Sequence, residues 1–391
     1  MRILCTFAGG SGHFEPLVPI ARAAQAAGHS VAFAAQAAMV PTVEAAGFTA
    51  FDTGGATVRS THERLPLLAV NAEREDKALR ESYAYRIARE RASTLLVLCA
   101  EWLPDLLVCD EVDFGAMISA ERLGLPYATV LVIAAGSFVR HSVVAEPLNA
   151  LRAQHGLPPD PELRMLSRYL TLSPFPPSYR DPAFPLPATA HLFRPLALVP
   201  EASTPVLVWP TFRHDCPTVY FTLGTVFNLE SGDLFARVLA GLHDLPCNVI
   251  ATVGREIDPA EFGPQPPNVR IERYIPQGSV LPRCDLVLSH GGSGSVLGAL
   301  THGLPMVLIP LGADQPFNAA RCAALGVAQV LDAMEATPAG VREAVATVVA
   351  SSSYRQAAER LRDEIAALPA PAHAVTLLER LVAERRPIVA T

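Results

Sequence analysis

Asp285-Leu286-Val287-Leu288-Ser289-His290-Gly291-Gly292-Ser293-Gly294-Ser295, followed by Val296 to His302 and Gly303-Leu304-Pro305, decides the fold. The apolar run 285–289 predicts a buried strand, 290–295 a turn and 296–302 a helix that Gly303 and Pro305 end. Small residues in such a turn let the backbone approach a ligand closely. The N-terminus of the following helix then offers free N–H groups and a partial positive charge, which suit a pyrophosphate. His290 adds a side-chain donor at the mouth of the loop. A tight turn that needs glycine only for packing is the plainer alternative. The density of Gly and Ser beside a His favours the phosphate site.

Outward from this stretch the pattern repeats. Strand-like runs occur at 218–223, 247–252, 285–289, 306–309 and 327–331, and the tail from about 338 is helical in character. Gly224-Thr225 ends the first of these runs, where the Thr225 hydroxyl is within reach of a phosphate. The first half shows the same alternation. Residues 3–8 form a strand-like run, Gly9-Gly10-Ser11-Gly12 breaks it, and 16–27 is helical up to Gly28. Further runs lie at 30–35, 105–109 and 127–132. Strands alternating with helices give a parallel sheet covered on both faces. The proline-rich stretches 173–187 and Pro195, Pro200, Pro205 and Pro210 exclude regular structure and place a boundary within 195–217. The expected organisation is an α/β domain over 1–200, a linker at 201–216 and a second α/β domain over 217–391. The last helix is a candidate to pack back on the first domain.

The bulk composition fits this picture. Of 391 residues, 50% are hydrophobic and 18% charged, enough for two cores. A net charge of -7 argues against nucleic acid as partner. The apolar run after Met1 is too short for a signal peptide or a membrane span, so a cytoplasmic protein without a membrane partner is expected. Seven scattered cysteines with no Cys-x-x-Cys pair read as packed or free thiols.

In a doubly wound sheet, ligands bind at the carboxyl ends of the strands, where the strand order reverses. His13 follows the first predicted strand, and Asp110 follows 105–109, read as the fourth. The two therefore face each other across the predicted switch point. An imidazole held by a carboxylate is a general base, because the carboxylate fixes the tautomer and stabilises the charged form. A dinucleotide fingerprint fails here. After Gly10 and Gly12 the third glycine position holds Glu15, and the second strand ends in Ala34-Ala35-Gln36 without a carboxylate. There is no Walker-type loop, no His-Glu-x-x-His and no Asp-x-Asp, so no metal ligands are assigned and no cofactor is expected.

Together these motifs resemble the family 1 glycosyltransferases of GT-B fold, especially the bacterial natural-product (antibiotic) members. Tyr274-Ile275-Pro276-Gln277, the loop His290 to Ser295, and Ala313-Asp314-Gln315-Pro316-Phe317-Asn318 are similar to the family's donor-binding signature in order and spacing. Gly12-His13-Phe14-Glu15-Pro16 matches its Gly-His-x-x-Pro. The resemblance covers almost the whole chain. It implies two doubly wound Rossmann-like domains facing across a cleft, and an inverting, metal-independent transfer of a sugar from a nucleotide sugar to a small hydrophobic acceptor, by a monomer or homodimer. His13 would be the base and Asp110 its partner. The donor site would comprise Gly224, Thr225, Tyr274, Ile275, Gln277, His290, Gly291, Gly292, Ser293, Gly294, Ser295, Asp314 and Gln315. Within it Tyr274 and Ile275 would lie against the base, and Asp314 and Gln315 would bind the sugar. One departure is informative. Many UDP-sugar enzymes carry Glu three residues after the Ser of the signature, on the ribose hydroxyls; here that position is Gly298. A dTDP-sugar is therefore the expected co-substrate, with UDP the alternative. Two other functions use the same fold: a sugar-nucleotide epimerase, and a non-catalytic auxiliary protein. The match at His13 argues against the first, and the intact loop against the second. Residues 56–90 and 135–170 are the expected acceptor walls by analogy with the family, with Tyr83, Tyr85, Phe138 and Met165 as candidate contacts.

Overall fold

The chain is seen in a computed structural model that describes residues 1–57, 63–195, 212–213 and 215–390. It divides into two units, Met1–Ser60 with Ala72–Pro195 and Ala367–Thr391, and Thr61–Asn71 with Leu196–Ala366. Most of the linker expected at 201–216, with Pro200, Pro205 and Pro210, lies outside the described residues.

The first unit is built on seven parallel strands: β1 (Arg2–Thr6), β2 (Ser30–Ala35), β3 (Thr49–Asp52), β4 (Leu106–Asp110), β5 (Tyr127–Val130), β6 (Leu170–Ser173) and β7 (Ala190–Leu192). Their order is β3-β2-β1-β4-β5-β6-β7, so the winding reverses between β1 and β4. Thr6 pairs with Cys109 there, which brings the ends of these two strands side by side. Every residue of β4 and β5 is buried, as expected of strands covered on both faces. The helix Pro371–Glu384 belongs to this unit and puts Ala374, Leu378 and Leu381 into its core.

The second unit holds β8 (Thr218–Thr222), β9 (Asn248–Thr252), β10 (Val269–Glu272), β11 (Leu286–Ser289), β12 (Met306–Leu308) and β13 (Ala328–Val330), all parallel, in the order β10-β9-β8-β11-β12-β13. Its reversal lies between β8 and β11, where Thr222 pairs with Ser289. The segment 63–71 joins this unit. Leu65 N–H donates to the Leu229 carbonyl at 2.7 Å, and Arg64 pairs with Glu261 at 2.7 Å. All seven cysteines are thiols, six of them buried. No single described helix is long and apolar enough to cross a membrane.

The structure corrects two helix starts. The helix after β1 begins at Ser11 and runs as Ser11–Phe14, a 3-10 turn Glu15–Leu17 and then Val18–Ala26. Pro16 and Pro19 each fall in the first turn of a piece, where no amide donor is needed, so they mark joints and not the helix start. The helix after β11 likewise begins at Ser293, three residues earlier than the turn residues suggest. Between Ala72 and Trp102 the chain is continuously helical, with a π-helical stretch Ala78–Ile87 in its middle.

Behind the β1–β4 reversal lies a buried cation. Arg91 is almost fully enclosed and donates Nε–H to Asp113 Oδ1 at 2.8 Å and Nη2–H to Oδ2 at 2.7 Å. Its Nη1–H goes to Thr53 Oγ1 at 2.9 Å, and Nη2 also reaches the Ala34 carbonyl at 3.2 Å. Asp113 in turn caps the helix Phe114–Leu123 by accepting from Ala116 N–H. One guanidinium thus ties the ends of β2 and β3 to the turn that follows Asp110. Removing it leaves a buried carboxylate uncompensated, a change that typically costs about 3–5 kcal/mol. Arg91→Met should lose that much in denaturant unfolding. Lys77→Met, which removes only an exposed i,i+4 pair with Glu81, should lose no more than about 0.5 kcal/mol.

Candidate active site

The candidate site of the first unit is assembled around one carboxylate. Asp110 ends β4 and is wholly buried. Its Oδ1 accepts from the N–H groups of Val112 and Asp113, both at 2.7 Å. Its Oδ2 accepts from Ala8 N–H at 2.9 Å and from His13 Nδ1 at 3.1 Å. With a carboxylate as its acceptor, Nδ1 carries the ring proton, and Nε2 carries the lone pair. Gly9 fixes where the ring lies. Its φ is +147°, and a Cβ on it would collide with His13 Cδ2. His13 therefore packs directly on backbone, as the glycine run before it permits. Tyr83, from the π-helical stretch, stands with its ring centroid 6.1 Å from that of His13. Such stretches recur at functional sites because they re-aim side chains out of helical register. Of the other acceptor-wall candidates, Tyr85 is exposed and Phe138 is buried. Met165 is wholly enclosed; its carbonyl accepts from Tyr127 O–H at 2.6 Å and its sulfur faces Arg152. It belongs to the core of its unit and not to a wall.

Two further carboxyl groups beside this cluster are held by burial well above the ordinary range. Glu15 and Glu111 are each pushed up to about 7. Neither stood out in the sequence.

The candidate site of the second unit uses the equivalent edge of its own sheet. The helix Ser293–Thr301 starts after Gly292, which makes no side-chain cap. Its first-turn N–H groups are thus uncapped, with the positive end of the helix dipole behind them. His290 is buried, its ring wedged between Gly224 and Gly292. Cβ atoms on these two would lie 2.6 and 2.5 Å from Nε2. Gly224 has φ +76°, so both space and backbone angle require glycine there. Burial pulls the His290 imidazole down to about 4, against a smaller opposing effect of the Thr222 backbone. At neutral pH it is therefore an uncharged donor.

Asn318 is the part of this half that motif reading left out of the site. It is wholly buried, and its Nδ2 donates to the Gly291 carbonyl at 3.0 Å, to Ser293 Oγ at 3.1 Å and to Asp314 Oδ2 at 2.8 Å. Ser293 O–H also donates to Asp314 Oδ2 at 2.6 Å. The signal was present: Asp314 and Asn318 are four apart, on one face of a helix start. Ala313, just before them, has φ +52°, strain that holds Asp314 where the loop needs it. Gln315 is buried, and its Oε1 accepts from Leu311 and Gly312 N–H. Its carbonyl oxygen is therefore committed to its own loop, leaving only the amide nitrogen for a ligand. Gly291 N–H bonds Ser289 Oγ at 3.3 Å. Gly294 has open space above its Cα, Ser295 is buried and Thr225 is exposed. Ile275 is buried, whereas the Tyr274 ring is 46% exposed with the Arg255 guanidinium 4.2 Å from its centroid. Gln277 Nε2–H donates to Ser295 Oγ at 3.2 Å. A Cβ on Gly298 would lie 3.0 Å from both Gln277 Oε1 and Leu281 Cδ1, so a larger residue there needs only a small shift of these two flexible side-chain ends.

Known proteins resemble the chain along its whole length. Residues 236–381 match the family described as "Erythromycin biosynthesis protein CIII-like, C-terminal domain". Tylactone mycaminosyltransferase of Streptomyces fradiae is 30% identical, covering 99% of this chain and 93% of its own. TDP-daunosamine transferase DnrS of Streptomyces peucetius is 31% identical, over 99% and 98% of the two chains. Among solved structures, the spinosyn rhamnosyltransferase SpnG superposes with a TM-score of 0.80 at 26% identity, over 97% of this chain and all of its own. It is also known with spinosyn aglycone and with thymidine diphosphate.

The buried imidazole gives this half a pH signature. A folded-state value near 4, below the ordinary 6.5, means that the unfolded chain takes up the proton first as pH falls. The contribution of His290 to stability is complete above the ordinary value and is lost as pH falls from there to about 4. The full loss is ~3 kcal/mol. His290→Gln should remove this dependence. Between pH 7 and 4, wild type should lose about that much more unfolding free energy than the variant in urea titrations; parallel profiles would contradict the assignment.

Proposed function

Since this chain belongs to the GT-B glycosyltransferases of natural-product (antibiotic) biosynthesis, we propose that it moves a deoxysugar from a dTDP-sugar to a hydroxyl of a small, polyketide-like acceptor, with inversion and without a metal. The epimerase and auxiliary alternatives fall away, because its relatives are named as transferases.

The observation that carries the reading is the His13–Asp110 pair at 3.1 Å, with three backbone N–H groups completing the shell of Asp110. In the reaction, His13 Nε2 takes the acceptor proton as the oxygen forms its bond to the anomeric carbon. The bond from that carbon to the diphosphate oxygen breaks on the opposite side, which inverts the centre. Asp110 stabilises the imidazolium without taking its proton. The departing diphosphate gathers negative charge, which the uncapped first turn of Ser293–Thr301 and the neutral His290 stabilise. These neutral donors and the helix dipole fill the place a divalent ion takes in other transferases.

Three observations favour dTDP over UDP. No carboxylate stands at Gly298 to hold a ribose 2′-hydroxyl. The name of one relative specifies TDP-daunosamine, and one structural neighbour was solved with thymidine diphosphate. Seven cysteines outside any disulfide suit a reducing, cytoplasmic setting. Transfer to a panel of polyketide-like acceptors, followed by mass spectrometry in excess EDTA, tests the proposal. Product should form from a dTDP-deoxysugar in EDTA at the rate seen without it, and more slowly from the UDP-sugar. Loss of product in EDTA, restored by a divalent ion, would overturn the metal-free mechanism; faster transfer from UDP would overturn the nucleotide assignment.

A further inference from the structure

Beyond the loop His290 to Ser295, the carboxyl edge of the second sheet presents one flat face to solvent. Among the described residues of the second unit, Tyr274 is the only aromatic side chain that is exposed. It follows β10, and Gln277 comes three residues later, a span of at most about 10 Å. Gln277 reaches Ser295, in the first turn of Ser293–Thr301. The ring therefore stands within a nucleotide's length of the helix start that receives the diphosphate in the proposed function. Arg255, which follows β9, covers the ring. Its guanidinium carbon is 4.2 Å from the Tyr274 centroid. The side chain is exposed, and its guanidinium makes no ion pair or hydrogen bond among the described residues.

The backbone beneath Arg255 is fixed. Gly254 N–H donates to the Arg273 carbonyl at 2.9 Å, and Arg273 Nη1–H donates to the Arg255 carbonyl at 3.0 Å. Arg273 also pairs with Asp258 at 3.0 Å. Gly254 has φ +98°, and a Cβ on it would collide with the Asn228 amide, so this turn requires glycine. A pinned turn thus carries a long side chain whose charged end is held by a ring and by no hydrogen bond. A guanidinium is planar, weakly hydrated and stacks on π-faces. Every nucleobase offers such a face. A base between cation and ring needs two contacts of about 3.5 Å each, more than the 4.2 Å that separates them. A base that stacks on this face of Tyr274 therefore lifts the guanidinium and receives it on its own outer face. The exchange keeps one cation–π contact and adds a ring stack.

We propose that Arg255 caps the pyrimidine base of the donor, which lies between its guanidinium and the Tyr274 ring. This rests on the nucleotide-sugar reading of the proposed function. Calorimetry on the full chain tests it with two probes: thymidine diphosphate, and inorganic pyrophosphate, which lacks the base. Wild type should bind thymidine diphosphate more tightly than pyrophosphate. Arg255→Ala should weaken thymidine diphosphate about fivefold or more and leave pyrophosphate unchanged. In a Tyr274→Ala background Arg255→Ala should cost a further loss, because the cap touches the base and does not merely prop the ring. Equal losses for the two probes would make Arg255 a charge acting on the diphosphate and overturn the cap. Unchanged or tighter thymidine diphosphate binding by Arg255→Ala, or no further loss in the Tyr274→Ala background, would overturn it too. Wild type that binds both probes equally would overturn the cap and leave the diphosphate site standing, whereas wild type that binds neither would overturn the proposed function and the cap together.

Discussion

The Asp110 carboxylate is the interaction on which the acceptor side depends. A buried charge is tolerable only when its lone pairs are filled, and here four donors fill them, three from backbone and one from His13. That requirement fixes the turn after β1, the turn after β4 and the imidazole together. Arg91 and Asp113 then hold the second of these turns from behind. The His13–Asp110 geometry and the local fold are therefore one hydrogen-bonded arrangement. A site of this kind loses its chemistry as soon as the turns relax.

The donor side meets the same topological position with different means. Its histidine is held by shape, between two glycines, and kept neutral by burial. Its loop is held by Asn318, which bonds the Gly291 carbonyl, Ser293 and Asp314 at once. The two histidines consequently differ in electrostatics. His13 has a carboxylate ready to stabilise its protonated form. His290 has none, and burial keeps it uncharged at neutral pH. This division matches a reaction in which one side takes up a proton and the other receives negative charge.

Much of this was legible in the sequence because the motifs sit at strand ends. β1, β2, β4 and β5 read as apolar runs, and the switch-point rule then joined His13 to Asp110 across a long stretch of chain. The strands β3, β6, β7 and β10 did not register, because Thr49, Thr171, His191 and Arg270 break their apolar runs. The helix starts at Ser11 and Ser293 were hidden by glycines and serines, which read as turn residues while serving as uncapped first turns. Met165 looked like a surface contact because burial by Tyr127 and Arg152 is a tertiary fact. Glu111 carried no motif. Its significance lies in the Val132 and Ile133 N–H groups that bond it, which no spacing reveals.

The central claim is that His13, oriented by Asp110, deprotonates the acceptor. Its most direct measurement is single-turnover transfer to an aliphatic alcohol acceptor by His13→Ala, alongside calorimetry of thymidine diphosphate. An aliphatic alcohol cannot lose its proton unaided near neutral pH, so the step needs the base. The account predicts a loss of about a hundred- to ten-thousand-fold in turnover, with nucleotide affinity unchanged and a much smaller loss on a phenolic acceptor. Full turnover of His13→Ala on the aliphatic alcohol would contradict it.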